Sequence, residues 1–338
     1  MANSANIRPL QPLPDPSASV LAKHSFGKTG MQVSLLGFGA AELGFEKVAN
    51  KVVDSLLGVA FDSGLNVIDT AECYVDSEEK IGRALRGKRQ QCLLFTKCGH
   101  AFSEAPAAYL TRVRRRLWQP VGRAIGRTFP DWDPRLLKRS IDRSLRRLRT
   151  DWIDLIQLHS CSEEILRRGE VIEVLQAARQ SGKARFIGYS GHGLPALYAV
   201  QCGQFDSLQT SVNVADQEAL DLTLPIAAER GMGVIAKRPL ANAVWRSAHR
   251  PENSYHHAYW DRLQDLKYEF LTDERVAVDM ALRFALTGPV HTAIVGTTKT
   301  DHWRKNAQIV AAGALEPVQF EKIRSRWKSV ARPDWVGQ

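Results

Sequence analysis

The chain has 338 residues, 44% of them hydrophobic, with 46 Lys+Arg against 36 Asp+Glu and a formal charge of +10. That hydrophobic content excludes a disordered chain, and the length allows either two ordinary domains or one large α/β barrel. The charge is local: residues 112–149 hold 13 Lys+Arg and three acids (Asp131, Asp133, Asp142), while the other 300 residues are formally neutral. A basic block without a recognition module does not argue for nucleic acid, and no nucleic-acid partner is expected.

Five scattered cysteines (Cys73, Cys92, Cys98, Cys161, Cys202) with no C-x-x-C pair make neither a disulfide framework nor a zinc motif, so a reducing compartment is expected. Residues 1–22 are rich in Pro, Ala and Ser and are predicted to form a disordered tail. They lack the charged and apolar regions of a signal peptide, and no apolar run reaches the ~20 residues that span a bilayer. The expectation is a soluble, cytoplasmic protein with no membrane span.

From residue 33 onward, short β-branched runs alternate with stretches of helical period, the pattern of parallel β/α units. The predicted strands are Val33–Gly39, Asn66–Ala71, Cys92–Lys97, Ile153–His159, Phe186–Ser190, Ser207–Asn213, Gly233–Lys237 and Thr292–Gly296. Most lack polar/apolar alternation, as strands covered on both faces do. Asp76 with Glu79 resembles a capping pair for the second helix. Leu137, Ile141, Leu145 and Leu148 give one apolar stripe to the helix over 134–149, whose charges lie mostly off that stripe and read as a solvated face, Asp142 pairing with Arg146. Further helices are predicted at 171–181, 195–202, 220–230, 275–287 and 301–310, and a terminal helix within 314–338 packs through Val318, Ile323 and Trp327.

Eight such units predict an α/β fold of (β/α)8 TIM-barrel type, a single domain over residues 23–332. The competing doubly wound sheet calls for a Gly-x-Gly-x-x-Gly turn after the first strand, and Gly37, Gly39 and Gly44 have the wrong spacing. Two long excursions, a basic insertion at 99–134 and the segment 241–274, are expected at the C-terminal face, where barrel active sites lie.

Four polar residues stand at the ends of consecutive strands: Asp69, Tyr74 just beyond it, Lys97 and His159. Each alone has a structural explanation; together they form a proton-transfer site. A Tyr of ordinary pKa is a poor acid, a nearby ammonium from Lys97 would favour its phenolate, and Asp69 would keep that ammonium charged in a partly dry mouth. His159 would orient a carbonyl oxygen.

On these residues the sequence resembles an aldo-keto reductase from about His24 to Val310. FGKTGMQVSLLGFGAAELG, VIDTAECYVDSEEKIGRAL, TKCG, SLRRLRTDWIDLIQLH, GKARFIGYSG and GVIAKRPL follow in the family's order. The resemblance implies NAD(P)H bound without a Rossmann fingerprint and hydride transfer to an aldehyde or ketone, or from the corresponding alcohol or sugar. It implies Tyr74 as general acid, Lys97 and Asp69 as the pair that tunes it, and His159 at the oxyanion.

For the cofactor it implies contacts at Gly39, Ser190, Gln209, Lys237, Arg238 and Leu240, then at Gly296, Thr297, Thr298, Lys299, His302 and Asn306. Three positions depart from the family: Gly191 replaces an Asn, Lys237 replaces an aromatic that stacks on the nicotinamide, and His302 replaces an Arg. The GTTKT turn opens a helix, where N–H groups and dipole favour phosphate. Lys299 or Arg238 would meet a 2′-phosphate, which favours NADPH, with NADH as the other possibility.

Trp245, Tyr255, His256, His257, Tyr259 and Trp260 are expected to wall a pocket for a small carbonyl or alcohol substrate, and no metal site is expected. Two other readings share the barrel: a cofactor-binding regulatory or redox-sensing subunit that docks a partner through 99–134, and a Schiff-base aldolase using Lys97. Whether the protein is a monomer or a homo-oligomer is left open by the sequence.

Overall fold

A computed structural model describes residues 21–101, 129–130 and 132–337. Eight parallel strands close into a barrel: β3 (Leu36–Gly39), β4 (Val67–Asp69), β5 (Leu93–Cys98), β8 (Ile153–His159), β9 (Ala184–Ser190), β10 (Ser207–Ser211), β11 (Gly233–Lys237) and β12 (Thr292–Gly296), which returns to β3. The helices are α1 (Ala41–Phe45), α2 (Asn50–Asp62), α3 (Ser77–Ala84), α4 (Pro134–Leu148), α5 (Glu163–Arg168), α6 (Glu170–Gln180) and α7 (Gly193–Gln201), followed by α8 (Glu218–Leu222), α9 (Leu224–Glu229), α10 (His257–Leu266), α11 (Glu274–Ala285), α12 (Thr300–Ala311) and α13 (Pro317–Val330). This is the (β/α)8 barrel expected from the alternation of apolar runs.

The first predicted strand divides in two. Val33 belongs to an antiparallel hairpin of β1 (Lys23–Ser25) and β2 (Gln32–Ser34), and the chain bends at Leu35 before β3. Asn66, expected in a strand, instead fastens hairpin to barrel: its Oδ1 accepts from Ser34 N at 2.7 Å and its Nδ2 donates to Gln32 O at 2.6 Å. The hairpin's Phe26, Met31 and Val33 pack with Val67, Phe95, Leu155, Ile235 and Ile294 and close the barrel's lower end. Gly233 is required here, because a Cβ on it would lie 2.4 Å from the Phe26 ring.

Strand side chains alternate with period two, so the residue two places beyond each of these inner apolar groups also faces inward, one layer higher. Val67 leads to Asp69, Phe95 to Lys97, Ile235 to Lys237, and Leu155 through Gln157 to His159. The apolar plug below thus dictates which polar side chains emerge at the C-terminal mouth.

The basic helix α4 is not simply a solvated face. Arg143 and Ser140 both bond the buried Glu72 carboxylate, and Arg147 reaches Glu79 at 2.9 Å and the buried Glu78 at 3.6 Å. Thr96 Oγ1 donates to Glu78 at 2.9 Å. These acids flank residues 73–77, so part of the basic block clamps the loop after β4. Gly82 permits the close approach of α3 and α4: a Cβ there would lie 2.3 Å from Arg147 O. Asp142 pairs with Lys183 at 2.6 Å rather than with Arg146, and Asp76 pairs with Lys80 at 2.9 Å rather than capping α3 through its side chain.

Other expectations change at the periphery. Most of the tail placed at 1–22 lies outside the described residues, but Leu21 is buried and donates to Ser63 O at 2.8 Å. Most of the 99–134 insertion, and with it the docking segment of the regulatory reading, also lies outside them; at its base β6 (His100–Ala101) pairs with β7 (Phe129–Pro130). On α13, Ile323 and Trp327 pack inward while Val318 is 82% exposed, and packing continues past residue 332 through the buried Trp335. Among the described residues no helix is long and apolar enough to cross a membrane, and no group of three or more His, Cys, Asp or Glu is placed to hold a metal.

The clamp makes a prediction. Arg147→Met leaves Glu78 buried without its cation and should cost about 2–3 kcal/mol of stability in urea unfolding. Adding Glu78→Gln should restore most of that loss; a single variant as stable as wild type would show the clamp carries no weight.

Candidate active site

The C-terminal mouth opens into a cleft of about 2200 Å³, more than twice the usual volume of a small-ligand pocket. Its lining includes Gly39, Asp69, Tyr74, Lys97, His159, Ser190, Gln209, Lys237, Arg238, Leu240, Gly296, Thr297, His302 and Asn306. Of the residues singled out from sequence, Thr298 and Lys299 are not on this surface; Thr297 Oγ1 accepts from Lys299 N at 3.1 Å in the turn before α12.

At its centre the Lys97 ammonium forms a short ion pair with Asp69 and donates to Thr70 O at 2.9 Å. Both side chains are almost wholly buried. Tied in this way, Lys97 offers no free amine for an imine. The ammonium lies 5.4 Å from the centre of the Tyr74 ring, which meets His159 edge-on with centroids 6.0 Å apart. The Tyr74 hydroxyl has no hydrogen-bond partner among the described residues. Behind it, Gly44 of α1 admits the loop, since a Cβ there would lie 2.0 Å from Tyr74 O, and Val75 is held in the left-handed region at φ 53°. A β-branched residue in that conformation stores strain, and such strain gathers where a fold fixes a functional side chain.

The electrostatics correct one expectation. Burial pushes the Tyr74 phenol well above its ordinary pKa, with Cys73 and Asp69 adding to the rise and Arg238 opposing it. The phenol is therefore a neutral O–H group in the resting cleft rather than a near-phenolate. Burial, with the Lys97, His100, Lys237 and Arg238 charges, drives His159 well below the usual imidazole range, so it is neutral.

Two neighbours of His159 escaped the sequence reading. Burial pushes the Cys73 thiol up to about 12, so its sulfur carries a proton, and it lies 3.5 Å from His159 Nδ1. Where the protonated thiol donates to Nδ1, the imidazole proton lies on Nε2. His100 stacks on His159 with centroids 4.8 Å apart, and Trp132 meets His100 at 5.9 Å. The Trp132 ring fills the space beside Gly99, where φ is +105° and a Cβ would lie 2.1 Å away. The sequence hint was the glycine in TKCG; Trp132 is too distant in the chain to be linked to it by spacing.

Beyond Gln209, Ser190 Oγ and Gln209 Oε1 are buried without partners. Gly191, where the resemblance implied an Asn, leaves no room for a Cβ, which would meet the Tyr189 ring and hydroxyl at 2.5–2.7 Å. After β11 the chain keeps four non-glycine residues at positive φ (Arg238, Ala241, Asn242, Ala243). Arg238 donates to the Tyr255 hydroxyl at 2.6 Å and to Ser211 at 3.1 Å. Of the six aromatic and His residues expected to wall the pocket, Tyr255 and His256 line the cleft. Tyr259 is in a separate core with Trp327 and Trp335, Trp245 and Trp260 pack against that core, and His257 bonds Pro251 O at 2.8 Å.

Glu42 was also missed. Its carboxylate covers Gly296, where a Cβ would lie 1.9 Å from Glu42 Oε2, and burial raises its pKa. Around His302 the charges of Lys299, Arg246 and Lys305 gather at the cleft's other end, opposed by Glu274.

The chain belongs to the aldo/keto reductase family, whose family model matches residues 35–328. It is 26% identical over 326 residues to an uncharacterised oxidoreductase, YqkF, of Bacillus subtilis, covering 91% of this chain and 97% of that one. Against L-galactose dehydrogenase of Arabidopsis thaliana it is 32% identical over 243 residues, 68% of each chain. A holo-form aldo-keto reductase from Bacillus halodurans superposes with a TM-score of 0.75 at 25% identity, covering 93% of this chain and 99% of that one. The protein is thus an NAD(P)H-dependent oxidoreductase.

The His159 surroundings predict an observable state. Two-bond 15N correlation spectra should show the Nε2–H tautomer at pH 6.5, with no protonation until well into the acid range. Cys73→Ala should mix the tautomers; an unchanged spectrum would mean the thiol does not set them.

Proposed function

We propose that the protein reduces a small aldehyde or ketone with NADPH, Tyr74 serving as the general acid, and that it catalyses the reverse oxidation of the alcohol or sugar by the same groups. The observation that carries this reading is the convergence of an unpartnered Tyr74 hydroxyl, a charged Lys97–Asp69 pair and a neutral His159 at one mouth.

The residues present fit a nicotinamide cofactor. Ser190 Oγ and Gln209 Oε1 are buried polar atoms lacking partners, and a carboxamide supplies one donor and one acceptor group to match them. At the other end, Asn306 lines the cleft beside His302, Arg246 and Lys305, a cationic rim suited to an adenosine 2′-phosphate and the basis for preferring NADPH over NADH. The bound cofactor supplies a hydride to the carbonyl carbon.

The chain's own groups handle the charge that this creates. As negative charge grows on the carbonyl oxygen, Tyr74 passes it a proton, and the phenolate left behind is stabilised by the Lys97 ammonium beneath its ring. Asp69 pairs with that ammonium and holds it in place. His159, with its proton on Nε2, donates a hydrogen bond to the same oxygen, and His100 and Trp132 shield this flank from water. Polar groups at the rim, Arg238 and Tyr255 among them, suit a hydroxylated carbonyl compound such as an aldose; the relative named L-galactose dehydrogenase supports that class.

Tyr74→Phe should bind NADPH within about twofold of wild type by fluorescence quenching, and more tightly than NADH, while turnover with an aldose or a small aldehyde falls by about 100-fold or more. Full activity in this variant would remove Tyr74 from the proton transfer.

A further inference from the structure

Lys237 stands above Ile235 on the inner face of β11 and lines the cleft, and its ammonium makes no hydrogen bond or ion pair among the described residues. The two other cations nearest it are held: Lys97 by Asp69 and Thr70, Arg238 by Tyr255 and Ser211. Lys237 therefore has no acid of its own in the polar layer of the mouth. Burial and the Arg238 and Lys97 charges push its pKa well down, against a weaker pull from Asp216 and Asp69.

Its place relative to the orphaned polar atoms follows from register. Ser190 on β9 pairs with Gln209 on β10, and Ser211, two residues along on the same face, pairs with Lys237 on β11. A carboxamide held by Ser190 Oγ and Gln209 Oε1 would place its pyridine ring in the layer of the mouth that Lys237 also lines. That ring is neutral when reduced and carries a positive charge when oxidised.

We propose that Lys237 makes the cleft discriminate between the redox states of the nicotinamide, disfavouring the oxidised form relative to the reduced one. An aromatic residue at this position would accept a pyridinium face; an ammonium repels it. The oxidised ring either meets the lysine charge directly or displaces its proton, and both routes cost the oxidised form affinity. The cleft is thereby biased toward carbonyl reduction, with the oxidised cofactor expelled once the hydride has left it. This inference rests on the oxidoreductase reading above.

The test is a binding measurement on the full chain, with no turnover involved. Wild type, Lys237→Met and Lys237→Arg are titrated with NADPH and NADP+ at pH 7 by fluorescence quenching and calorimetry. In Lys237→Met the ratio of the NADP+ to the NADPH dissociation constant should fall roughly tenfold, the order expected for unit charges about 10 Å apart at an effective dielectric near 20. The change should come from tighter NADP+ binding, and Lys237→Arg should keep the wild-type ratio. An unchanged ratio in Lys237→Met overturns the proposal. So does equal weakening of both forms, which would make Lys237 a phosphate contact. If wild type bound neither form, the oxidoreductase reading would fall and this inference with it.

Discussion

The buried ion pair between Asp69 and Lys97 is the constraint around which the mouth of the barrel is organised. Two charges removed from water are costly, and their attraction compensates only when geometry and additional hydrogen bonds are good. Here Lys97 also donates to Thr70 O, and the two side chains project from adjacent strands whose pairing sets their spacing. Removing either partner would strand the other in a dry site, so the pair acts as a unit. It also sets the electrostatic tone for its neighbours: the Lys97 charge helps to keep His159 neutral and lies beneath the Tyr74 ring.

Holding that pair near Tyr74 requires the loop after β4 to be rigid, and the rigidity comes from a distant part of the chain. Glu72 and Glu78 flank the loop, and Ser140, Arg143 and Arg147 of α4 tie both acids down. The excess positive charge of residues 112–149 thus has a structural use in its helical part, where arginines meet buried carboxylates. Gly44 lets α1 approach this loop closely, Gly82 lets α3 approach α4, and Val75 in the loop holds a left-handed backbone.

The barrel was legible in the sequence because both faces of its strands are covered, so apolar runs mark them with little ambiguity; β8, β11 and β12 begin and end where the runs do. The four mouth residues were legible because strand ends in a barrel share one face. The hairpin around Phe26 was not, since β2 and β3 form one continuous apolar run in sequence and only the bend at Leu35 separates them. The inward turn of Arg143 and Arg147 was hidden for a similar reason: their partners Glu72 and Glu78 lie some seventy residues away, and helical periodicity shows which face is charged but not what meets it. Cys73 and His100 went unnoticed because neither residue type, alone at its position, announces a contact with His159. The expectation of a lowered Tyr74 pKa counted the ammonium and omitted the cost of burying a phenolate.

The central claim, that Asp69 and Lys97 act as one unit in positioning and charging the proton-transfer site, is most directly tested by a double-mutant cycle. Single-turnover hydride transfer would be measured for wild type, Asp69→Asn, Lys97→Met and the double variant, with cofactor dissociation constants recorded alongside. If the pair is a unit, the double variant should be no slower than the more damaged single variant. Losses that multiply independently in the double variant would contradict that account.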